Sequence, residues 1–252
     1  MGDLQVSKDG YVAVFRVNRP PHNYFDQSII GEIAAAGAQA DADPDTRAIV
    51  LCSEGKNFCA GANFGEGGLG EERAKTSRNL YEAAAKLFRI ETPIVAAVQG
   101  AAVGGGLGLA VMADFRVAAP TARLHANFAS LGFHQGFALS VSLPRLIGAQ
   151  KASEMLLTAR PVKGEEALAI GLVDRLNDDP FAGALELARS IAANAPLAVR
   201  SIRETLRGSL ADDVQAVLER ELSEQTWLWG TEDCAEGVAA NLERREPQFT
   251  GR

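Results

Sequence analysis

The chain has 252 residues, of which 47% are hydrophobic and 23% are charged, and its formal net charge is −7. This size predicts one large domain, or a domain with an appendage, with enough apolar residues for a core and a soluble surface. The composition excludes a nucleic-acid-binding face, which needs clustered Lys and Arg. It also excludes a membrane span, because no apolar run approaches the required length of about 20 residues.

The cysteines and the first residues indicate a compartment. Cys52, Cys59 and Cys234 do not make a disulfide framework, which favours a reducing environment. Residues 1–5 lack the basic stretch and apolar run of a secretory signal. We therefore expect a cytoplasmic protein.

The first half of the chain alternates strand and helix signals. Residues 4–7 and 11–17 predict a hairpin around Asp9-Gly10. Asp26 can cap a helix that carries Ile29 and Ile33 on one face. Further strands are expected at four places: 48–52, 94–98, 115–118 and 122–124. Strands that alternate with helices predict an α/β fold whose largely parallel sheet is covered by helices.

From about Ala149 onward the pattern becomes mostly helical. Helices are predicted over 181–193, from Pro196, and over 211–229. The last of these is long and amphipathic, so it packs either on its own domain or on a neighbouring subunit. The sequence leaves both possibilities open.

A glycine turn at residues 99–108 is the most informative stretch. The apolar run 94–98 precedes it and the run 107–112 follows it, which predicts a buried strand, a turn and a helix start. The Gly104-Gly105-Gly106 sequence lets the backbone approach a ligand closely. The first N–H groups of a helix have no partner within it, so they can point at a developing negative charge. A tight strand-to-helix connection is the alternative explanation.

A second segment, residues 57–65, again exposes backbone at the small residues Ala60, Gly61 and Ala62. The two segments together resemble the signature segments of the crotonase, or enoyl-CoA hydratase/isomerase, superfamily. The resemblance extends over nearly the whole chain, through residues 17–20, 91–100, 113–118, 143–148, 166–173 and 236–249.

This resemblance implies an architecture and a ligand. The expected fold is a spiral of strand-strand-helix turns with a helical C-terminal region. Residues 1–195 form the acyl-CoA-binding core, and residues 196–252 form an oligomerisation region. The expected assembly is a homotrimer or a hexamer. The ligand is an acyl-CoA thioester, with no metal and no cofactor besides the coenzyme A of the substrate.

The resemblance also assigns residues. It implies that the backbone N–H groups of Ala62 and Gly105 form an oxyanion hole for the thioester carbonyl. Substrate and CoA contacts are expected at His22, Lys56, Ala60, Gly61, Gly104, Phe128 and Phe249. Phe64, Phe128, Phe133 and Phe137 make the site apolar, which suggests an aromatic or branched acyl group.

The chain departs from the family at both catalytic glutamates, whose positions hold Gly108 and Phe128. Neither can carry a proton, so ordinary hydration is not expected. The alternative reactions are hydrolysis, decarboxylation, isomerisation and dehalogenation. His134 is the candidate acid/base because histidine titrates near neutrality, although local hydrogen bonding also explains it. Glu66 and Tyr81 are the next candidates.

Two other functional classes were weighed. The glycines of residues 65–70 have dinucleotide-binding spacing, but no strand leads straight into them, so a mobile loop over the site is the better interpretation. A catalytically silent acyl-CoA-binding or assembly subunit is the main alternative to an enzyme, because such a protein keeps the carbonyl-binding segments without proton-transfer groups.

Overall fold

The computed structural model describes residues 2–63 and 71–252, with the side chains of all of these except Glu71 and Glu72. In chain order its strands are β1 (Leu4–Asp9), β2 (Val12–Val17), β3 (Ala48–Ser53), β4 (Ile94–Val98), β5 (Ala101–Val103), β6 (Phe115–Ala118), β7 (Arg123–His125), β8 (Val162–Lys163) and β9 (Arg175–Leu176). Its helices are α1 (Gln27–Ala42), α2 (Glu71–Leu87), α3 (Gly105–Val111), α4 (Leu139–Thr158), α5 (Gly164–Ala169), α6 (Pro180–Ala192), α7 (Pro196–Arg207), α8 (Leu210–Leu228) and α9 (Glu232–Glu243).

The main sheet has the order β1-β2-β3-β4-β6-β9, and a smaller sheet has the order β5-β7-β8. Only the β1–β2 pair of the main sheet is antiparallel. Alternate residues of its central strands pack on opposite faces, so Val50 lies with helix α6 while Leu51 lies in the larger core. The predicted α/β class with a mainly parallel, helix-covered sheet is confirmed.

Two elements differ from the sequence-based prediction. The glycine turn follows β5 rather than β4, because a three-residue strand of the smaller sheet intervenes. Helix α4 consists of two segments that meet at Gly148, whose φ of +79° and ψ of 155° are not helical. The second segment begins at Ala149, as expected, whereas the sequence does not predict the first, which begins at Leu139. Its N-cap residue, Ala138, has no side chain that can cap the helix, so the local sequence carries no start signal.

Glu221 of helix α8 supplies that missing cap from a distance. Its side chain is fully buried. One carboxylate oxygen accepts the backbone N–H of Ala138 at 2.8 Å, and the other accepts that of Ser140 at 3.0 Å. Burial raises the pKa of Glu221 to about 7, against the opposing effect of these hydrogen bonds. The N-terminus of α4 therefore depends on a buried group in the C-terminal region.

The C-terminal helices attach to the core in different ways. Helices α8 and α9 contribute Leu218 and Val238 to the core, whereas every side chain of α7 is exposed or half-buried. Arg203 and Arg207 of α7 pair with Asp114 at 2.8 and 3.0 Å. The boundary at residue 195 and the trimeric or hexameric assembly stay predictions. Within residues 2–63 and 71–252, no helix has the length and apolar character to cross a bilayer.

The Glu221 cap predicts a pH dependence of the free energy of unfolding. The folded-state pKa of about 7 exceeds the ordinary 4.5, so the native state binds the extra proton. The stabilisation from that proton is complete below pH 4.5 and is lost as the pH rises through 7. It amounts to at most about 3 kcal/mol.

Urea titrations at pH 5 to 8 check this prediction by comparing wild-type protein with Glu221→Gln. The wild type should lose stability relative to the variant between pH 5 and 7, and the difference should stop changing above pH 8. Parallel stability curves for the two proteins would contradict the assignment. Glu219→Gln, an exposed position on the same helix, is the control.

Candidate active site

The two small-residue segments lie backbone to backbone. Cys59 donates its N–H to the carbonyl of Ala101 at 3.0 Å, and Val103 donates to the carbonyl of Cys59 at 3.0 Å. A Cβ on Gly106 would lie 2.1 Å from the Cys59 carbonyl oxygen, and one on Gly61 would lie 2.8 Å from that of Val103. The approach therefore requires glycine at both positions. Gly61 also has a φ of +86°, which glycine adopts without strain.

This contact brings two free N–H groups together. Gly105 is the first residue of α3, and Gly104 before it has a φ of +56°. In the part of the chain that the structure describes, neither Gly105 nor Ala62 donates its N–H to a protein acceptor. A Cβ on Gly61, the neighbour of Ala62, would lie 3.7 Å from the Gly105 nitrogen. Both donors are thus available to an acceptor from outside the chain.

Both donors line a cavity of about 430 Å³. Five other predicted contact residues line the same cavity: His22, Ala60, Gly61, Gly104 and Phe128. A second hollow shares His22 and Ala62 with it and continues to Arg19. The exposed ring of His22 lies 5.1 Å from that of Tyr24, between the two hollows. The two hollows share lining residues and are therefore neighbours.

Aromatic rings form much of the cavity wall. The rings of Phe128 and Phe133 meet edge to face at 5.8 Å, and those of Phe133 and Trp229 lie 6.2 Å apart. On the opposite side, the rings of Phe25 and Phe137 are 5.4 Å apart. Phe128, the position at which one family glutamate is expected, is buried and lines the cavity.

Gly108, the other position at which a family glutamate is expected, has no room for a side chain. A Cβ on Gly108 would lie 2.7 Å from the Cβ of Phe137 and 2.8 Å from its ring. Phe137 therefore occupies the space that a side chain on this turn of α3 would need. That Gly108 and Phe128 stand at the glutamate positions of the family stays a prediction.

Several polar groups reach the cavity from elements that the motifs do not include. The Tyr81 hydroxyl donates to Oε1 of Gln225 at 2.8 Å, and burial strongly raises the pKa of Tyr81, so the phenol keeps its proton. Ser77, one helical turn earlier, shares the cavity-facing side of α2. The four-residue spacing of Ser77 and Tyr81 is the sequence feature that places both side chains on the same face of α2.

His125 is a further cavity residue. Its Nε2 lies 2.6 Å from the carbonyl oxygen of Ala159, which makes Nε2 the protonated nitrogen of a neutral ring. Burial lowers the pKa of His125 and so favours that neutral form. Arg73, Arg123 and Arg244 give the cavity lining a positive charge.

Three predicted site residues lie away from this cavity lining. His134 turns its Nδ1 to the carbonyl oxygen of Gln135 at 2.8 Å. Lys56 is exposed after β3. Phe249 lines a separate surface hollow with Trp227. Their roles in proton transfer and CoA binding stay predictions. Phe64, Glu66 and the loop expected at 65–70 fall outside the described residues.

Comparison with known proteins establishes the family. The model of the enoyl-CoA hydratase/isomerase family matches residues 7–252. A probable enoyl-CoA hydratase of Bacillus subtilis is 34% identical over 258 residues, covering 100% of both chains. The short-chain-enoyl-CoA hydratase of Clostridium acetobutylicum is 31% identical over 254 residues, covering 98% of this chain and 97% of that protein.

Solved structures agree with this result. The crystal structure of an enoyl-CoA hydratase/isomerase from Pseudoalteromonas atlantica superimposes with a TM-score of 0.86 and 30% identity, covering 99% of this chain and 100% of that one. The chain belongs to the enoyl-CoA hydratase/isomerase family and has its crotonase-like fold. It is an enzyme of the enoyl-CoA hydratase/isomerase type.

The backbone contact at Gly106 predicts a marked effect of one methyl group. Gly106→Ala places a Cβ against the Cys59 carbonyl, so one segment must move. Overpacking of this kind costs about 1–3 kcal/mol, and for a chain of this size each kcal/mol lowers the unfolding midpoint by about 2–4 °C. Thermal unfolding followed by circular dichroism measures the loss.

Gly31→Ala is the matched control, because a Cβ at this position of helix α1 meets nothing within 4 Å. Alanine is the better helix former, so this variant should unfold at the wild-type midpoint or slightly above it. Equal midpoints for Gly106→Ala and Gly31→Ala would refute the close contact.

Proposed function

We propose that this enzyme binds an acyl-CoA thioester with its carbonyl oxygen between the N–H groups of Ala62 and Gly105. There it stabilises an enolate or another oxyanion formed at that carbonyl. One observation carries the proposal: two backbone donors without a protein acceptor lie on adjoining segments and line the same cavity. The family resemblance assigns the same two positions.

The surroundings of the donors suit a developing negative charge. The Gly105 N–H is at the N-terminus of α3, where the helix dipole favours an anion. The aromatic wall keeps the polarity of the site low, which strengthens each hydrogen bond. A donor in such a site is worth about 3–4 kcal/mol of transition-state stabilisation.

The charge of the cavity suits an anionic ligand. Three arginines line it, and over the described ranges its lining includes no Asp or Glu. The whole chain has a net charge of −7, so this positive lining contrasts with the rest of the protein. The phosphates of a coenzyme A would be attracted to such a cavity.

The reaction itself is proposed only by class. With Gly108 and Phe128 at the glutamate positions, the chain has no carboxylate there to activate water or protonate the α carbon. Hydrolysis, decarboxylation, isomerisation and dehalogenation of a thioester all pass through a charge at the carbonyl, which the two donors would stabilise. Among the described residues that line the cavity, the imidazoles of His22 and His125 are candidates to accept or donate a proton.

The alternative is a silent acyl-CoA-binding or assembly subunit. It is favoured by the same apolar replacements, since binding needs the donors but not the glutamates. A panel of acyl-CoA thioesters with mass detection of products, run beside a calorimetric titration, separates the two. Binding without turnover of any member would favour the silent subunit. We also infer a cytoplasmic homotrimer or hexamer without a cofactor other than substrate coenzyme A.

Substitution of Gly105 tests the role of its N–H. Gly105→Pro removes the donor, and proline is tolerated at the first position of a helix. Gly105→Ala is the matched control, because it adds the same Cβ, 2.4 Å from the Phe25 ring, but keeps the N–H. Turnover of whichever thioester the panel identifies should be about 10²–10³-fold lower in the proline variant than in the alanine variant. Equal rates in two folded variants would refute the oxyanion hole.

The apolar glutamate positions predict negligible hydration of crotonyl-CoA. Acid–base groups each contribute about 10²–10⁴-fold, and this chain lacks both. The loss of enoyl absorbance, measured beside the Clostridium acetobutylicum hydratase, checks this. Turnover near a typical enzymatic rate of roughly 10 s⁻¹ would show that another group replaces the glutamates.

A further inference from the structure

Two consecutive residues beside the cavity have a backbone conformation that side chains disfavour. Phe137 and Ala138 have φ values of +58° and +59°, in the left-handed region. Both are buried. Residues with a Cβ adopt this region at a cost, and they stay there only where surrounding contacts hold them. The contacts that hold the loop at Phe137 and Ala138 therefore help to determine where the Phe137 side chain lies.

Three buried side chains from two helices hold the loop. The Tyr81 hydroxyl of α2 donates to the side-chain oxygen of Gln225 of α8 at 2.8 Å. The Gln225 amide donates to the carbonyl of His134 at 2.8 Å. Glu221 of α8 accepts the N–H of Ala138 at 2.8 Å. Backbone groups on both sides of Phe137 are thus held by buried side chains of α8, and Tyr81 holds one of these in place.

The loop places one large ring against the donor turn. The Phe137 ring would lie 3.5 Å from a Cβ on Gly105, and its Cβ would lie 2.7 Å from one on Gly108. The ring also packs on Phe25 and lines the cavity. Phe137 therefore limits the space next to the Gly105 N–H, where the carbonyl and the α carbon of a thioester would lie.

We propose that Phe137 is the specificity-determining residue of the acyl site, selecting thioesters without a branch at the α carbon, and that Tyr81 and Glu221 are positioning residues that hold it there. This inference rests on the proposed binding of a thioester carbonyl at Ala62 and Gly105. It disagrees with the branched acyl group expected from the sequence and favours a linear or flat one, because a substituent on the α carbon would meet the ring.

The first test measures discrimination between two isomeric ligands. Calorimetry gives the Kd of butyryl-CoA and of isobutyryl-CoA, which differ only in the branch. The wild type should bind butyryl-CoA more tightly, and Phe137→Leu should reduce that ratio by about fivefold or more, since one methylene in an apolar pocket changes selectivity about 10–200-fold. Phe88→Leu, at a buried phenylalanine away from the cavity lining, should keep the wild-type ratio.

The second test addresses the positioning residues. Tyr81→Phe keeps the ring but removes the hydroxyl that holds the Gln225 amide against the His134 carbonyl, and Glu221→Gln removes the carboxylate that accepts the Ala138 N–H. Both should lower the butyryl-to-isobutyryl preference in the same direction as Phe137→Leu. Tyr11→Phe and Glu219→Gln, at exposed positions, are the matched controls. A merely structural role would lower the unfolding midpoint and leave the Kd ratio unchanged.

The outcomes are distinguishable. A wild-type Kd ratio in folded Phe137→Leu, or an equal shift in Phe88→Leu, would overturn the specificity assignment while thioester binding stands. A shift in Phe137→Leu with wild-type ratios in Tyr81→Phe and Glu221→Gln would overturn the positioning role. If the wild type binds neither thioester, the proposed function fails and this inference fails with it.

Discussion

The close backbone contact between the segment after β3 and the β5–α3 turn is the constraint on which the site depends. Gly61 and Gly106 each face a carbonyl oxygen at a distance that leaves no room for a Cβ. Because the two segments follow strands of different sheets, this contact also joins the main sheet to the smaller one. The N–H groups of Ala62 and Gly105 reach the same cavity only while that contact holds.

The rest of the cavity gives those two donors an apolar setting. Phe128 lines the cavity, and Phe137 fills the space beside Gly108. Among the described residues, the charged side chains of the lining are arginines. Such a site favours the accumulation of negative charge at a bound carbonyl but offers few groups to move a proton. With a group that moves the proton, the protein is an enzyme with altered chemistry. Without one, it is a silent binding subunit.

The family resemblance, which local motifs carry, implies the donors at Ala62 and Gly105 but not their surroundings. Gly104, Gly105 and Gly106 between two apolar runs indicate the helix start, and small residues around Gly61 indicate its partner. The sequence does not predict the start of α4 at Leu139, because the residue that caps it is Glu221, 83 residues from Ala138 in the chain. The place of Phe137 depends on the same long-range contacts. No local pattern distinguishes His125, which lines the cavity, from His134, which does not.

Isotope-edited infrared spectroscopy tests the central claim most directly. Butyryl-CoA labelled with ¹³C at the thioester carbonyl is bound to the wild-type protein, and the carbonyl stretch is compared with that in water. Two N–H donors in an apolar cavity should polarise the bond and lower the frequency of the bound carbonyl. Gly105→Pro removes one of the two donors, so the frequency of the bound carbonyl should move part of the way back to its value in water. A bound carbonyl that absorbs at its frequency in water would contradict the oxyanion hole at Ala62 and Gly105.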